Sequence, residues 1–423
     1  MTQEVDILID NIGQLCTIPP HDGGPQRGRD LGDLGIVSNA AIAIEHGEIL
    51  AVGPREELLG FYDGEETIDA GGMLVTPGLV DPHTHLVWSG DRTEEFEMRL
   101  EGATYQAIMA AGGGINRTVR QTRGASVESL IAQTGARLTN MLRHGTTTIE
   151  CKTGYGLDPQ TEIAMLNTIA LLDAEHPVHL LPTFLGAHAV PPEFEGQPDA
   201  YVDLLIENMI PAAARWRDEN WPDVMYCDAF CEEGAFTLAQ TRRILESGRQ
   251  AGFKLRLHAD EFASLGAVPL AVELGAVSVD HLLVTNQADV DLLGKSSTMA
   301  ILLPATPFGL GIKNTAPAKA LIEAGAAVAL ATDCNPGTAW CESMQMVLAL
   351  ATRHLGMTPA QALVAATLNA AFAVDCGDKM GCIDAGRDAD LVIWNVPDYR
   401  HLAYRFGANM ARRVIKAGIP INM

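Results

Sequence analysis

Cations are scarce in this chain: 29 Lys and Arg face 53 Asp and Glu, a net charge of −24 with histidine neutral. A field of that sign repels nucleic acid and anionic membrane surfaces, so neither is expected as a partner. Any anionic substrate has to be captured by a cation placed for it. Long apolar runs are missing too, and no stretch reaches the ~18 residues that a membrane helix needs. The opening "MTQEVDILID" carries acids where a secretion signal has a basic flank and a longer apolar core. Eight cysteines occur without a CxxC pair or a dense framework. That pattern predicts reduced thiols in a cytoplasmic protein, not disulfides or a structural zinc knuckle. There is no repeat of fixed period and no low-complexity tract.

With 423 residues and 47% hydrophobic content, the chain has material for a large packed interior. Residues 1–75 are short apolar alternations broken by Gly, Asp and Pro, such as "VDILIDNI" and "AAIAIEHGEILAVGP". Residues 378–423 repeat the style with "DADLVIWNV" and "MARRVIKAGI". The two ends are expected to build one small composite β-sandwich domain. Within the first segment, "PPHDGGPQRGRDLGD" is expected to be a variable surface turn.

Residues 76–377 have a different texture, in which short apolar runs alternate with helical patterns. Eight strand candidates can be counted: "GLVDPHTHL", "TTTIECKTG", "VHLLPTFLGAH", "VMYCDAFCEE", "KLRLHADE", "AVSVDHLL", "TMAILLPAT" and "AVALATDCNP". Eight βα units predict a (β/α)8 TIM-like barrel with its site at the C-terminal strand ends. Reactive or charged side chains gather at that end: His83 and His85, Lys152, His188, Glu232 and Glu233, His258 with Glu261, His281, and Asp333.

Strand residues i and i+2 share a face, so His83 and His85 look into the same barrel mouth. Two adjacent imidazoles repel as cations but chelate a divalent metal. With His258 from the fifth strand and Asp333 from the eighth they form a His3Asp set suited to zinc or iron, with room for water. A second metal would need a bridging group. The fourth strand has no lysine to supply one, so one metal per chain is expected. Glu261, three residues past His258, suits a proton shuttle between activated water and a leaving nitrogen. His281 is compatible with a second-metal ligand, a core histidine or a polariser of the scissile carbonyl; the last is favoured. The glycines of "AGGGI" (111–115) lack the Lys-Ser/Thr of a phosphate loop and are expected to form a loop near the mouth.

"PGLVDPHTH", "HADE" and "ATDCNPGT" together resemble the amidohydrolase superfamily, in its branch with a single metal. The stretches at 89–123, "ECKTGYGL", "TFLGAHAVPPE" and "LLPATPFGLG" are similar to the family that opens imidazolone rings in histidine degradation. The likeness implies hydrolysis of 4-imidazolone-5-propanoate to N-formimidoyl-L-glutamate with zinc or iron. In that chemistry Asp333 serves as ligand and base, His281 steadies the carbonyl oxygen, and Glu261 protonates the ring nitrogen. The propanoate tail would fall to Arg92, whose guanidinium suits a carboxylate; the competing reading pairs it with Glu94 or Glu95. Tyr155, His188, Glu261, Asn335, Gly337 and Thr338 match positions that contact substrate in the family. The alternatives are a heterocycle deaminase, hydrolysis of another cyclic amide, and a non-catalytic barrel. The sequence leaves the oligomeric state open, a homodimer included.

Overall fold

The computed structural model describes residues 2–103 and 112–422. Their strands form two eight-stranded sheets. The first holds β1 (Gln3–Cys16), β2 (Ile36–Glu45), β3 (Glu48–Pro54), β4 (Tyr62–Asp69) and β5 (Leu74–Pro77) from the N-terminal end. The second runs in chain order through β6 (Leu79–Asp81), β7 (Thr146–Lys152), β8 (His179–Ala187), β9 (Tyr226–Cys231), β10 (Lys254–Ala259), β11 (Ser278–His281), β12 (Met299–Leu302) and β13 (Val328–Leu330). Then β14 (Leu391–Trp394), β15 (Ala411–Lys416) and β16 (Ile419–Ile421) rejoin the first sheet.

Strands β6 to β13 pair in parallel, each with the next, and all eight expected strands are present. Parallel strands covered on both faces must be apolar on both, and β7, β11, β12 and β13 are buried at every residue. The return helices start where the sequence supplies caps. Ser126 accepts from Ser129 N–H, Asp158 from Gln160 and Thr161 N–H, and Thr237 forms a reciprocal box with Gln240. The cylinder closes between its first and last strands just past their ends. Asp333 N–H donates to the His83 carbonyl at 3.1 Å, and His85 N–H to the Cys334 carbonyl at 3.0 Å.

In the small domain β1 is the spine, antiparallel to β2 and parallel to β4 and β5. The C-terminal end enters through β14, antiparallel to β5 with Val392 opposite Thr76. The sheet folds over one core of Ile9, Ile12, Leu15, Ile42, Val75, Leu391 and Ile415, so neither end buries its apolar face without the other. The fold is therefore an α/β barrel with a composite β domain drawn from both termini. No helix among the described residues is long and apolar enough to cross a membrane.

Two expectations meet qualifications. Residues 104–111, within the 89–123 stretch and including Ala111 of "AGGGI", lie outside the described residues. Gly114 takes φ 75° and opens the helix at Ile115–Arg123, its N–H donating to Glu95 at 3.0 Å. The segment at 19–33 is not a free surface turn. Gln26 is fully buried and its amide donates to the Pro19 and Asp33 carbonyls and accepts from Gly32 and Asp33 N–H, all at 2.8–3.0 Å. Asn369 brackets the Gln26 backbone and also donates to the Val328 carbonyl at 2.9 Å, tying the segment to the start of β13. A glutamine among Gly, Pro and Arg reads as exposed because its partners are set only by the fold. Gln26→Ala would leave several buried backbone groups unpaired; chemical denaturation should show a loss of about 2–4 kcal/mol.

Candidate active site

The four expected donors converge at the barrel mouth, all buried. His83 and His85 leave β6 on one face, His258 ends β10, and Asp333 follows β13. His83 Nε2 lies 3.5 Å and His85 Nε2 3.4 Å from Asp333 Oδ1. His258 Nε2 and His85 Nε2 are 3.3 Å apart. Bonds of about 2.0–2.1 Å to a tetrahedral ion put neighbouring donors about 3.3 Å from one another, so these separations suit one shared cation. His83 Nε2 and Asp333 Oδ1 are buried without any hydrogen-bond partner, a cost that a cation between them removes. Burial and the Lys152 ammonium hold His83 well below the usual imidazole range; burial and His188 do the same for His85. Both are neutral, as metal ligands must be. The site fits a divalent metal ion.

A second layer that sequence reasoning missed supports these donors. Asp280 Oδ2 is 2.6 Å from His83 Nδ1, and Asp228 Oδ2 is 3.0 Å from His258 Nδ1. Thr306 donates to Asp333 Oδ2 at 2.5 Å, which turns Oδ1 toward the histidines. A signal was available, because polar residues recur at period two in apolar strands: Asp81, His83, His85; Glu150, Lys152; Arg256, His258. Lys152 and Glu232, grouped above with the reactive strand ends, have other tasks. Lys152 lies fully buried among carboxylates. Glu232 accepts from Phe262 N–H at 2.9 Å and Ala263 N–H at 3.2 Å, which fixes the loop carrying Glu261. Glu233 is exposed.

His281 follows Asp280 directly, and in a regular strand the two would face opposite ways. His281 adopts φ 84° and Leu282 φ 63°, left-handed values that bring the imidazole round to the mouth. Asp333 is left-handed as well, at φ 54°. Such conformations cost about 1–2 kcal/mol each and persist where the surroundings enforce them. His281 Nε2 lies 3.7 Å from Glu261 Oε2, and its ring centroid is 5.5 Å from that of His83. Burial, reinforced by Asp333, pushes the Glu261 carboxyl well above its ordinary range.

Three loops border these donors. His188, after β8, fixes its Nδ1 on the Gly154 carbonyl at 3.0 Å and stacks on His85 with centroids 4.7 Å apart. Tyr155 is buried beside it, centroid to centroid 5.2 Å. Asn335 organises the loop after β13, its Oδ1 accepting from Gly337 and Thr338 N–H at 2.8 Å each. Arg92 donates to Thr118 at 2.9 Å and runs against Gly337, where a Cβ would collide with its Nη1. Glu94 pairs with Arg117 at 2.7 Å, and Glu95 accepts from Gly114 N–H at 3.0 Å. His188 and Tyr155 thus sit against the His85 ring, and Asn335 holds the Asp333 carbonyl at 2.7 Å.

A model of the amidohydrolase family matches residues 74–419, and the chain belongs to that family. Among curated relatives it is 51% identical to the imidazolonepropionase of Herpetosiphon aurantiacus, over 98% of this chain and 96% of the relative. It is 48% identical to that of Chloroflexus aggregans, over 98% and 97%. Among solved structures, an adenosine deaminase from Xanthomonas campestris with bound zinc superimposes with a TM-score of 0.68 at 20% identity, covering 100% of this chain and 96% of that one. At that identity the likeness speaks for the fold alone.

Since Gly337 makes room for Arg92, Gly337→Ala should displace the guanidinium. Steady-state kinetics should show KM raised about 10- to 100-fold with kcat changed far less.

Proposed function

We propose that the protein hydrolyses the ring C–N bond of 4-imidazolone-5-propanoate, giving N-formimidoyl-L-glutamate, with one zinc or iron ion held by His83, His85, His258 and Asp333. The observation that carries this reading is the convergence of four buried donors, two of them otherwise unpartnered, beside a buried carboxyl on one flank and an arginine loop on the other. When bound, the metal supplies hydrolytic power by acidifying water toward neutral pH. The remaining work is done by the chain.

Arg92 receives the propanoate carboxylate, an anion that the acidic surface repels elsewhere. Tyr155, His188 and the Asn335–Thr338 loop hold the ring against the mouth. Asp333 takes the proton of the attacking water. His281, neutral because burial and His258 hold it well below the imidazole range, donates to the carbonyl oxygen as that atom gains charge. Glu261 delivers its proton to the ring nitrogen as the C–N bond breaks and is reprotonated by the proton that Asp333 took from water, so that in net the water's OH ends on carbon and one proton on nitrogen. Eight free cysteines, seven of them buried, suit the cytoplasm. We place the domain boundary so that 1–75 with 378–423 stand apart from 76–377.

Incubating the purified enzyme with 4-imidazolone-5-propanoate should give N-formimidoylglutamate without ammonia; stoichiometric ammonia with no ring-opened product would make it a deaminase instead. Glu261→Gln should keep its metal, measured by elemental analysis, while kcat falls about 10²- to 10⁴-fold. Chelation should abolish turnover and added zinc or ferrous iron restore it.

A further inference from the structure

Beneath the donors, Lys152 is fully buried at the end of β7. Its Nζ lies 2.8 Å from Glu150 Oε1, 3.0 Å from Asp228 Oδ2 and 4.0 Å from Asp280 Oδ2. Those two aspartate oxygens are the ones that face His258 Nδ1 and His83 Nδ1. One ammonium therefore reaches two of the three histidine donors, each through a single carboxylate oxygen. Among the described residues His83 Nδ1 is hydrogen-bonded to Asp280, whereas His258 Nδ1 meets Asp228 at 3.0 Å outside hydrogen-bond geometry and His85 Nδ1 has no hydrogen-bond partner. Arg256, the other buried cation there, spends its guanidinium on the Pro82 carbonyl at 2.7 Å and the Ala373 carbonyl at 3.2 Å, and its Nε stays 3.9 Å from Asp280.

We propose that Lys152 is a positioning residue for the metal centre, holding the Asp228 and Asp280 carboxylate oxygens that face the His258 and His83 rings. Three carboxylates this near one another in a dry interior repel, and the ammonium between them holds the two aspartate oxygens where they meet the rings. A ring whose Nδ1 faces a fixed carboxylate keeps one orientation, with its Nε2 turned to the donor cluster. Without the ammonium the carboxylates turn away from one another and the rings lose that support. The inference rests on the metal reading above, and the two fail separately. A wild-type protein that takes up no stoichiometric zinc sinks that reading; a zinc-replete protein indifferent to Lys152 sinks only this one.

The test strips the full-length protein of metal and titrates Zn²⁺ against a chromophoric chelator, with Co²⁺ absorption as a report on ligand geometry. Lys152→Met is expected to weaken zinc about 10- to 100-fold and to shift the cobalt bands. Asp280→Asn is expected to do likewise, and the double variant to bind no more weakly than the worse single one, because both changes cut the same link. A folded Lys152→Met protein with wild-type zinc affinity and cobalt spectrum, or a double variant whose losses multiply, would overturn the proposal. Should Lys152→Met not fold, Asp228→Asn and Asp280→Asn decide it, each cutting one link while the lysine keeps its charge. Weaker zinc in both, with an unchanged melting temperature of the metal-free protein, supports the proposal; wild-type affinity in both overturns it.

Discussion

The barrel is closed through the residues that converge at its mouth. Two backbone hydrogen bonds join the segments just past β6 and β13, Asp333 N–H to the His83 carbonyl and His85 N–H to the Cys334 carbonyl. Hydrogen bonds of this kind hold their partners to a few tenths of an ångström, and here they set the spacing of His83, His85 and Asp333. The fourth donor, His258, enters across the cylinder, in register with Phe230 of β9 and Asp280 of β11. Folding the barrel and assembling the site are thus one event. The small domain guards that closure from below: β5 and β6 are separated only by Gly78, whose N–H donates to the Asp390 carbonyl at 2.8 Å.

The interior also carries an unusual charge load for a protein whose surface is strongly acidic. Glu150, Asp228, Asp280, Lys152 and Arg256 are fully buried. Isolated, each would be driven to neutrality by desolvation. Paired, they hold: the Glu150 and Asp228 carboxylates outweigh the burial that opposes the Lys152 charge and keep it above its ordinary range. Such a group contributes little net stability against an apolar substitute. Its worth lies in orientation, because removing one member leaves an opposite charge exposed to a low dielectric beside the donors. Glu261 is the reverse case, a carboxyl that burial and the nearby Asp333 push well above its ordinary range.

Much of this was legible in the sequence. Eight apolar runs with reactive ends foretold the barrel, and the spacing of His83 and His85, with His258 and Asp333 at later strand ends, foretold the donor set. Period-two placement needs no tertiary knowledge, since a strand fixes which side chains share a face. What stayed hidden depends on register between strands. Asp280 and Asp228 read as ordinary strand polars until His83 and His258 are seen against them. Thr306 reads as the last residue of the seventh strand candidate until its hydroxyl is found on Asp333. Gln26 was hidden for the same reason, its partners lying 7 and 343 positions away along the chain. His281 was placed at the mouth from sequence, although a regular strand would have turned it outward and only its left-handed backbone brings it in.

One measurement bears on all of this most directly: anomalous diffraction from crystals of the protein, collected on both sides of the zinc and iron edges. The account predicts a single peak at the barrel mouth, about 2.0–2.2 Å from His83 Nε2, His85 Nε2, His258 Nε2 and Asp333 Oδ1. Two peaks at the mouth, or one peak bound by a different set of side chains, would contradict it.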